Sequence, residues 1–511
     1  MAFLPFLLRP SPTVRRTAAA VLALCAFAPA LTAAPRLEPC HVDGVRESVR
    51  CGEVIVLEKD GGDRQLALHL VVLPATQPDP LPDPLVILAG GPGQAASHLA
   101  GPIRRAFDDV RRSRDIVLID QRGTGGSNPL DCELGDAVDL LRGGGTPVEA
   151  LRRCRAELEE RADLSAYSTL RAADDLEQIR RAFGWPQINL WGGSYGSRLA
   201  LVYQDRYAEA VRTAVLDGAA PYGLRLPLPN AASAQRAFDR LVDDCSDDPA
   251  CRDAFPDPRG DLESLLDALG AEPMRRTIPH PRTGAPLDVA LTRDVVAGAV
   301  RTVLYDTRRA TLLPHLLRAA ATEDDPAPLV AVALSIATSA LERMSIGLTY
   351  TVLCSEDFDR IDPAEVDDAT AYTFTGRSEY DAFASACDGW PRAELPVGFE
   401  QLRTRQTPTL LLSGEVDPVT PPKWAEEALT LLPRGRQVVA PGVAHITSFT
   451  GCAPELIADF LDAGSAVDLD VECLESRRRP PFVVSAAGPS LGTAIRPAAG
   501  AAPAEGPGGA P

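Results

Sequence analysis

The sequence predicts an α/β fold: a mostly parallel sheet flanked by helices, with a mainly helical segment inserted before the last strands. Three observations carry that prediction. Short continuous apolar runs, too short for helices, recur between glycine-rich loops, as strands buried on both faces do. These runs alternate with stretches of helical periodicity, and such alternation implies parallel pairing. The alternation stops near Pro221 and resumes near Thr409.

Residues 1–34 combine Arg9, Arg15 and Arg16 with an apolar run from Ala18 to Leu31 and the small-residue end Thr32-Ala33-Ala34. That pattern reads as a secretory signal peptide cleaved near Ala30 to Ala34, and it is too short for a membrane span. No other long apolar stretch follows, so the chain is expected to be exported, periplasmic or extracellular, with no membrane span. The first part of the core is assigned to residues 35–220. Glu53–Leu57 and Gln65–Leu73 are β-type runs around the turn signal Asp60-Gly61-Gly62-Asp63 and read as an opening hairpin. Pro84–Ala89 and Asp115–Asp120 are buried-strand runs. They are followed by the glycine-rich loops Gly90-Gly91-Pro92-Gly93 and Gln121 to Ser127, at the strand ends where open α/β sheets bind ligands. Between Ala172 and Phe183, Leu176, Ile179 and Phe183 recur at helical spacing, Asp174 and Asp175 sit in the first turn, and Gly184 stops the helix. Ile188–Trp191 and Ala214–Leu216 are further strands, with a helical run over Arg198–Ala210 between them. Residues 221–405 read as a helical cap insertion, and 406–474 as the second part of the core, with strands at Thr409–Leu412 and Gln437–Val439. The Ala-, Pro- and Gly-rich residues 475–511 read as a disordered tail.

Composition narrows the function. The 511 residues hold 51 basic and 70 acidic side chains, a net charge of −19 that argues against nucleic acid as a partner. Arginine far outnumbers lysine, which here reflects composition bias and carries no functional weight. Eleven cysteines become ten without Cys25. In chain order they form neighbouring couples: Cys40 with Cys51, Cys132 with Cys154, Cys245 with Cys251, Cys354 with Cys387, and Cys452 with Cys473. Five local disulfides are expected in an oxidising compartment. No Cys-x-x-Cys occurs, so no metal site is expected.

The chemistry centres on Gly192-Gly193-Ser194-Tyr195-Gly196. A Gly-x-Ser-x-Gly string alone is a weak signal in a glycine-rich chain. Placed between a strand and a helix, it becomes a sharp turn that exposes Ser194 as a nucleophile. A serine hydroxyl needs a base. Of the six histidines, only His445 directly follows a late strand, and it is the expected general base. Asp417, in the loop after Thr409–Leu412, is the expected carboxylate partner, with Glu415 as its rival. The chain order Ser194, Asp417, His445 is that of α/β-hydrolase architecture. Backbone N–H groups of Tyr195 and Gly91 are the candidates for holding the oxyanion, each worth about 3 kcal/mol.

Gly90-Gly91-Pro92-Gly93, Asp120-Gln121-Arg122-Gly123-Thr124-Gly125, Gly192 to Ser197, and the late Asp417 and His445 together resemble the proline iminopeptidase and tripeptidyl-aminopeptidase-like serine peptidases. The resemblance spans about Leu85–Ala220 and Thr409–Cys473. It implies an α/β-hydrolase fold with a helical cap, no metal or organic cofactor, and hydrolysis of peptide bonds near a free amino terminus. Ala89 and Ala444 depart from the iminopeptidase pattern, and the disulfide-rich exported form is more similar to the exported tripeptidyl branch. Reading a free amine requires fixed negative charge near the serine, for which Glu356 and Glu415 are the candidates. A carboxylesterase on the same scaffold and a non-catalytic secreted binding protein are the alternatives.

Overall fold

The computed structural model describes residues 35–134, 148–270, 272–280, 283–322, 326–485 and 487–489. The expected signal peptide and the tail beyond Pro489 lie outside the described residues. Strands β1 (Glu38–Cys40), β2 (Val49–Leu57), β3 (Gln65–Leu73), β4 (Leu85–Leu88), β5 (Ile116–Ile119), β6 (Ile188–Gly193), β7 (Val211–Asp217), β8 (Met274–Pro279), β9 (Pro286–Leu291), β10 (Thr409–Gly414) and β11 (Gly435–Ala440) account for the main pairing. Nine of them form one sheet in the order β1-β2-β3-β5-β4-β6-β7-β10-β11. The β1-β2-β3 meander and the β3–β5 pair are antiparallel. From β5 to β11 every pair is parallel.

Sequence explains this layering directly. Every residue of β4, β5, β6 and β10 is buried, because helices cover both faces of the central sheet. Within β4, Val86 and Leu88 belong to one apolar cluster and Leu85 and Ile87 to the other, following the two-residue side-chain period. The helices Thr169–Ala182 and Tyr195–Arg206 pack on the first face and Ala453–Ala463 on the second. Strand β2 lies near the sheet's edge, buries Val54 and Val56, and leaves Ile55 and Leu57 exposed. The five expected cysteine couples are all disulfides, with Cα–Cα separations from 5.1 to 6.3 Å.

Between β7 and β10 the chain builds a layer with its own apolar cluster around Phe238, Leu241, Val300 and Leu317. Among its described residues the insertion is mainly helical, as expected, and it also carries the antiparallel hairpin β8–β9, whose alternating burial follows the two-residue period of a strand. The segment read as disordered from residue 475 is ordered over its first part. Arg479 pairs with Asp244 at 2.8 Å, Val483 N–H donates to Thr311 O, and Phe482 is buried in the insertion's cluster. Phe482-Val483-Val484 supplies the apolar anchor that the surrounding proline and arginine obscure. Phe482→Ala is expected to cost about 3 kcal/mol, the lower end for a buried phenylalanine. Calorimetric melting should shift downward accordingly; an unchanged melt would contradict this packing.

Candidate active site

The end of β6 turns into the Tyr195–Arg206 helix through Ser194, which has φ 55° and ψ −125°. An L-residue rarely occupies this region, so the surroundings must hold it there. They do so with small residues and main-chain bonds. A Cβ on Gly192 would strike the Gly196 carbonyl, and one on Gly196 would strike the Leu88 carbonyl. Ser194 N–H donates to Asp217 O at 2.8 Å, and Ser197 N–H donates to Ser194 O at 2.9 Å. The glycines predicted from sequence are therefore required by closeness to neighbouring backbone.

His445 follows β11 and pairs with Asp417: Nδ1 lies 2.8 Å from Oδ2. Asp417 is fully buried, and its other oxygen accepts the N–H groups of Val419 and Thr420 at 2.9 and 2.8 Å. Thr420 Oγ1 donates to Oδ2 at 2.8 Å and lies 3.2 Å from His445 Nδ1. Burial pushes the Asp417 carboxyl up, but the charge of His445 and these hydrogen bonds outweigh it and hold the group below its ordinary value. Burial likewise disfavours the charged imidazole, but Asp417 and then Asp217 outweigh it, so His445 titrates above its ordinary value. Tyr305 packs edge-on against the imidazole, with ring centroids 5.5 Å apart, and receives a hydrogen bond from Arg301.

Ser194, His445, Gly91 and Tyr195 line one cavity of ≈ 460 Å³ between sheet and insertion. That volume suits a small molecule or a few residues of peptide. Gly91 has φ 108°, a value open to glycine, and a Cβ there would meet Met344. Trp191, Phe449, Leu99 and Ile446 supply apolar surface. The second glycine-rich loop does not line this cavity and instead braces its wall. The Asp120 carboxylate accepts from Ser97 and from Gly126 N–H, Gln121 donates to Ala89 O, and Arg122 forks onto buried Asp175.

Neither predicted amine-binding acid lines the cavity. Glu356 is fully buried, accepting from Thr169 N–H at 2.6 Å, Thr169 Oγ1 at 2.7 Å and the Tyr222 hydroxyl at 3.2 Å. Burial raises its carboxyl, against the pull of Arg198. Glu415 points to a different cleft, where it accepts from Gly442 N–H and faces Arg240 at 3.7 Å. The carboxylate that does line the Ser194 cavity is Glu379, on the helix Ser378–Cys387. Its Oε1 accepts from Asn230 Nδ2 at 2.8 Å and lies 3.6 Å from Arg301. Asn230, nearly buried and lining the same cavity, has an Oδ1 with no hydrogen-bond partner. Sequence carried no signal for Glu379 or Asn230, because neither belongs to a motif. Thr420 was findable, three residues after Asp417 on the same loop. Among the described residues, no group of three or more His, Cys, Asp or Glu is placed to hold a metal ion.

Residues 83–273 match the α/β hydrolase fold family and residues 372–473 match the TAP-like protein family. Serine protease Hip1 of Mycobacterium tuberculosis (strain ATCC 25618 / H37Rv) is 26% identical over an alignment of 464 residues that covers 83% of this chain and 87% of that protein. The proline iminopeptidase of Xylella fastidiosa (strain 9a5c) is 32% identical over 135 residues, 26% of this chain and 32% of its own length. A crystal structure of proline iminopeptidase from Mycobacterium smegmatis covers 81% of this chain and 98% of its own, at 17% identity and a TM-score of 0.39. The sheet order and the sequence matches make the chain a serine hydrolase with the α/β-hydrolase fold. Within that class its matches are to the TAP-like proteins and to serine peptidases that include a proline iminopeptidase, and they support the proline iminopeptidase and TAP-like peptidases as the family it resembles.

Proposed function

We propose that the protein is an exported serine exopeptidase that cleaves peptides near a free amino terminus through an acyl-enzyme. The observation that carries the reading is the 2.8 Å pair of His445 with buried Asp417, set on the same cavity as Ser194 at its strained turn. In this reading Ser194 Oγ attacks the scissile carbonyl carbon while His445 Nε2 takes its proton. Asp417 fixes the imidazole tautomer and stabilises its charged form. The oxyanion lies against the N–H groups of Gly91 and Tyr195. His445 then gives the proton to the leaving amine, and water, activated by the same imidazole, releases the acyl group from Ser194. Five disulfides support export to an oxidising compartment. No helix among the described residues is long and apolar enough to cross a membrane.

Selectivity for a free amine is supported by Glu379 and Asn230. An ammonium has three donors, and these two side chains offer it a carboxylate and an unpartnered carbonyl oxygen. The test compares chromogenic tripeptides with free and with acetylated amino termini. The wild type should strongly prefer the free form. Glu379→Gln should lower kcat/KM for that form about 10- to 100-fold, the worth of a hydrogen bond to a charged group, and leave the acetylated form unchanged. Equal cleavage of both forms by the wild type would sink the amine reading and favour an esterase-like or internal-cleaving hydrolase.

A further inference from the structure

One buried carboxylate beside the proposed triad is left without a role by that mechanism. Asp217 ends β7 with its side chain fully buried. Its main-chain oxygen takes the N–H of Ser194 at 2.8 Å. Its carboxylate takes the N–H groups of Thr447 at 2.9 Å and Ser448 at 2.6 Å, two and three residues after His445. A single residue thus joins the serine turn to the histidine loop.

That loop needs holding. Ile446, directly after His445, has φ 69°, a left-handed conformation costly for a β-branched residue. The two bonds to Asp217 satisfy the N–H groups that such a turn exposes inside the protein. Trp191 Nε1 donates to Ser448 Oγ at 2.9 Å and braces the loop from the other side. Gly218 continues β7 under the imidazole; a Cβ there would lie 3.3 and 3.5 Å from His445 Cε1 and Nδ1. The chain directly after β7 therefore passes close to the ring that Asp217's charge would act on.

We propose that Asp217 is a positioning residue for His445, fixing the loop that carries the imidazole and supplying a second negative charge that stabilises its protonated form. This rests on the reading of His445 as the general base. Each Asp217 oxygen already accepts an N–H, so a proton placed on either would face a donor; the geometry selects the anion. Burial raises its carboxyl above the ordinary value, opposed by the Ser448 and Thr447 bonds and by His445. The charged and titratable groups facing His445 are Asp417 from the loop after β10, Asp217 from β7, and Arg301 and Tyr305 from the insertion. Arg301 opposes the imidazolium and the two aspartates favour it, so removing one aspartate changes the balance in a known direction.

The test is the pH profile of kcat/KM for wild type and Asp217→Asn on a free tripeptide substrate. In the wild type, the acid limb reports protonation of the base and is expected above about 6.5. Asparagine keeps one N–H bond, loses the charge and leaves the other N–H facing a donor. The acid limb should move to lower pH by at least about half a unit. At the pH optimum kcat should fall about tenfold with KM little changed. Asp217→Ser, which leaves room for a water to accept the two N–H groups, gives the same limb shift if the asparagine variant does not fold. A limb that stays in place in folded variants overturns the proposal while the triad reading stands. A wild type with no acid limb of histidine type overturns both.

Discussion

Ser194→Ala is expected to lower kcat/KM by on the order of 10⁶, about 8 kcal/mol of transition-state stabilisation, while the protein keeps its fold and binds substrate normally. The size follows from what the residue does. Without Oγ there is no atom to form the acyl-enzyme, and residual turnover relies on direct attack by water. The structure offers little reason for collateral damage. The main-chain bonds of Ser194 to Asp217 and Ser197 do not involve its side chain, and alanine keeps the same Cβ in the same tight turn. The measurement is steady-state hydrolysis of a free tripeptide, with a thermal melt as the control for folding. Activity within tenfold of wild type would remove Ser194 from the chemistry.

Asp417→Asn is expected to lower kcat by about 10⁴ with KM nearly unchanged, and here the neighbouring bonds dictate why. Oδ1 of Asp417 accepts two N–H groups, from Val419 and Thr420. An asparagine must keep its carbonyl oxygen there, because an amide nitrogen would face two donors. Its Nδ2 then faces His445 Nδ1 and donates to it. That hydrogen bond places the imidazole proton on Nε2, the nitrogen that must be bare to accept the serine proton. The variant would have an intact fold and the wrong tautomer. A loss smaller than about 100-fold would show that Asp417 does not control the tautomer.

The sheet was legible because its central strands are continuous apolar runs. Leu85–Leu88, Ile116–Ile119 and Thr409–Gly414 are buried on both faces, and no amphipathic helix has that pattern at that length. The serine turn was legible because close packing against Leu88 and Gly196 admits only glycine at two positions. His445 and Asp417 were legible from chain order. The acid facing the cavity was not. Leu353 to Asp357 reads as an acidic turn beside a cysteine, yet it ends a helix, Ile346–Glu356, whose last residues are buried. Burial reverses the meaning of such an acid: Glu356 is fully buried, spends its hydrogen bonds on Thr169 and Tyr222, and does not reach the cavity. Glu379 sits in a polar helix like many others, and only the three-dimensional placement of Ser378–Cys387 against Asn230 singles it out. Asp217 directly follows the strand predicted at Ala214–Leu216, but its bonds run to residues about 230 positions later in the chain. Pairings at that distance follow from topology rather than from local pattern.

The assignment of Ser194 as nucleophile is tested by treating the protein with a serine-reactive fluorophosphonate and locating the adduct by peptide mass mapping. One stoichiometric adduct is expected, on Ser194, formed in step with loss of peptidase activity. The adduct should be absent from Ser194→Ala and slowed by orders of magnitude in His445→Ala. Full inactivation with the adduct on another residue, or unmodified Ser194 in an inactivated protein, would contradict the assignment.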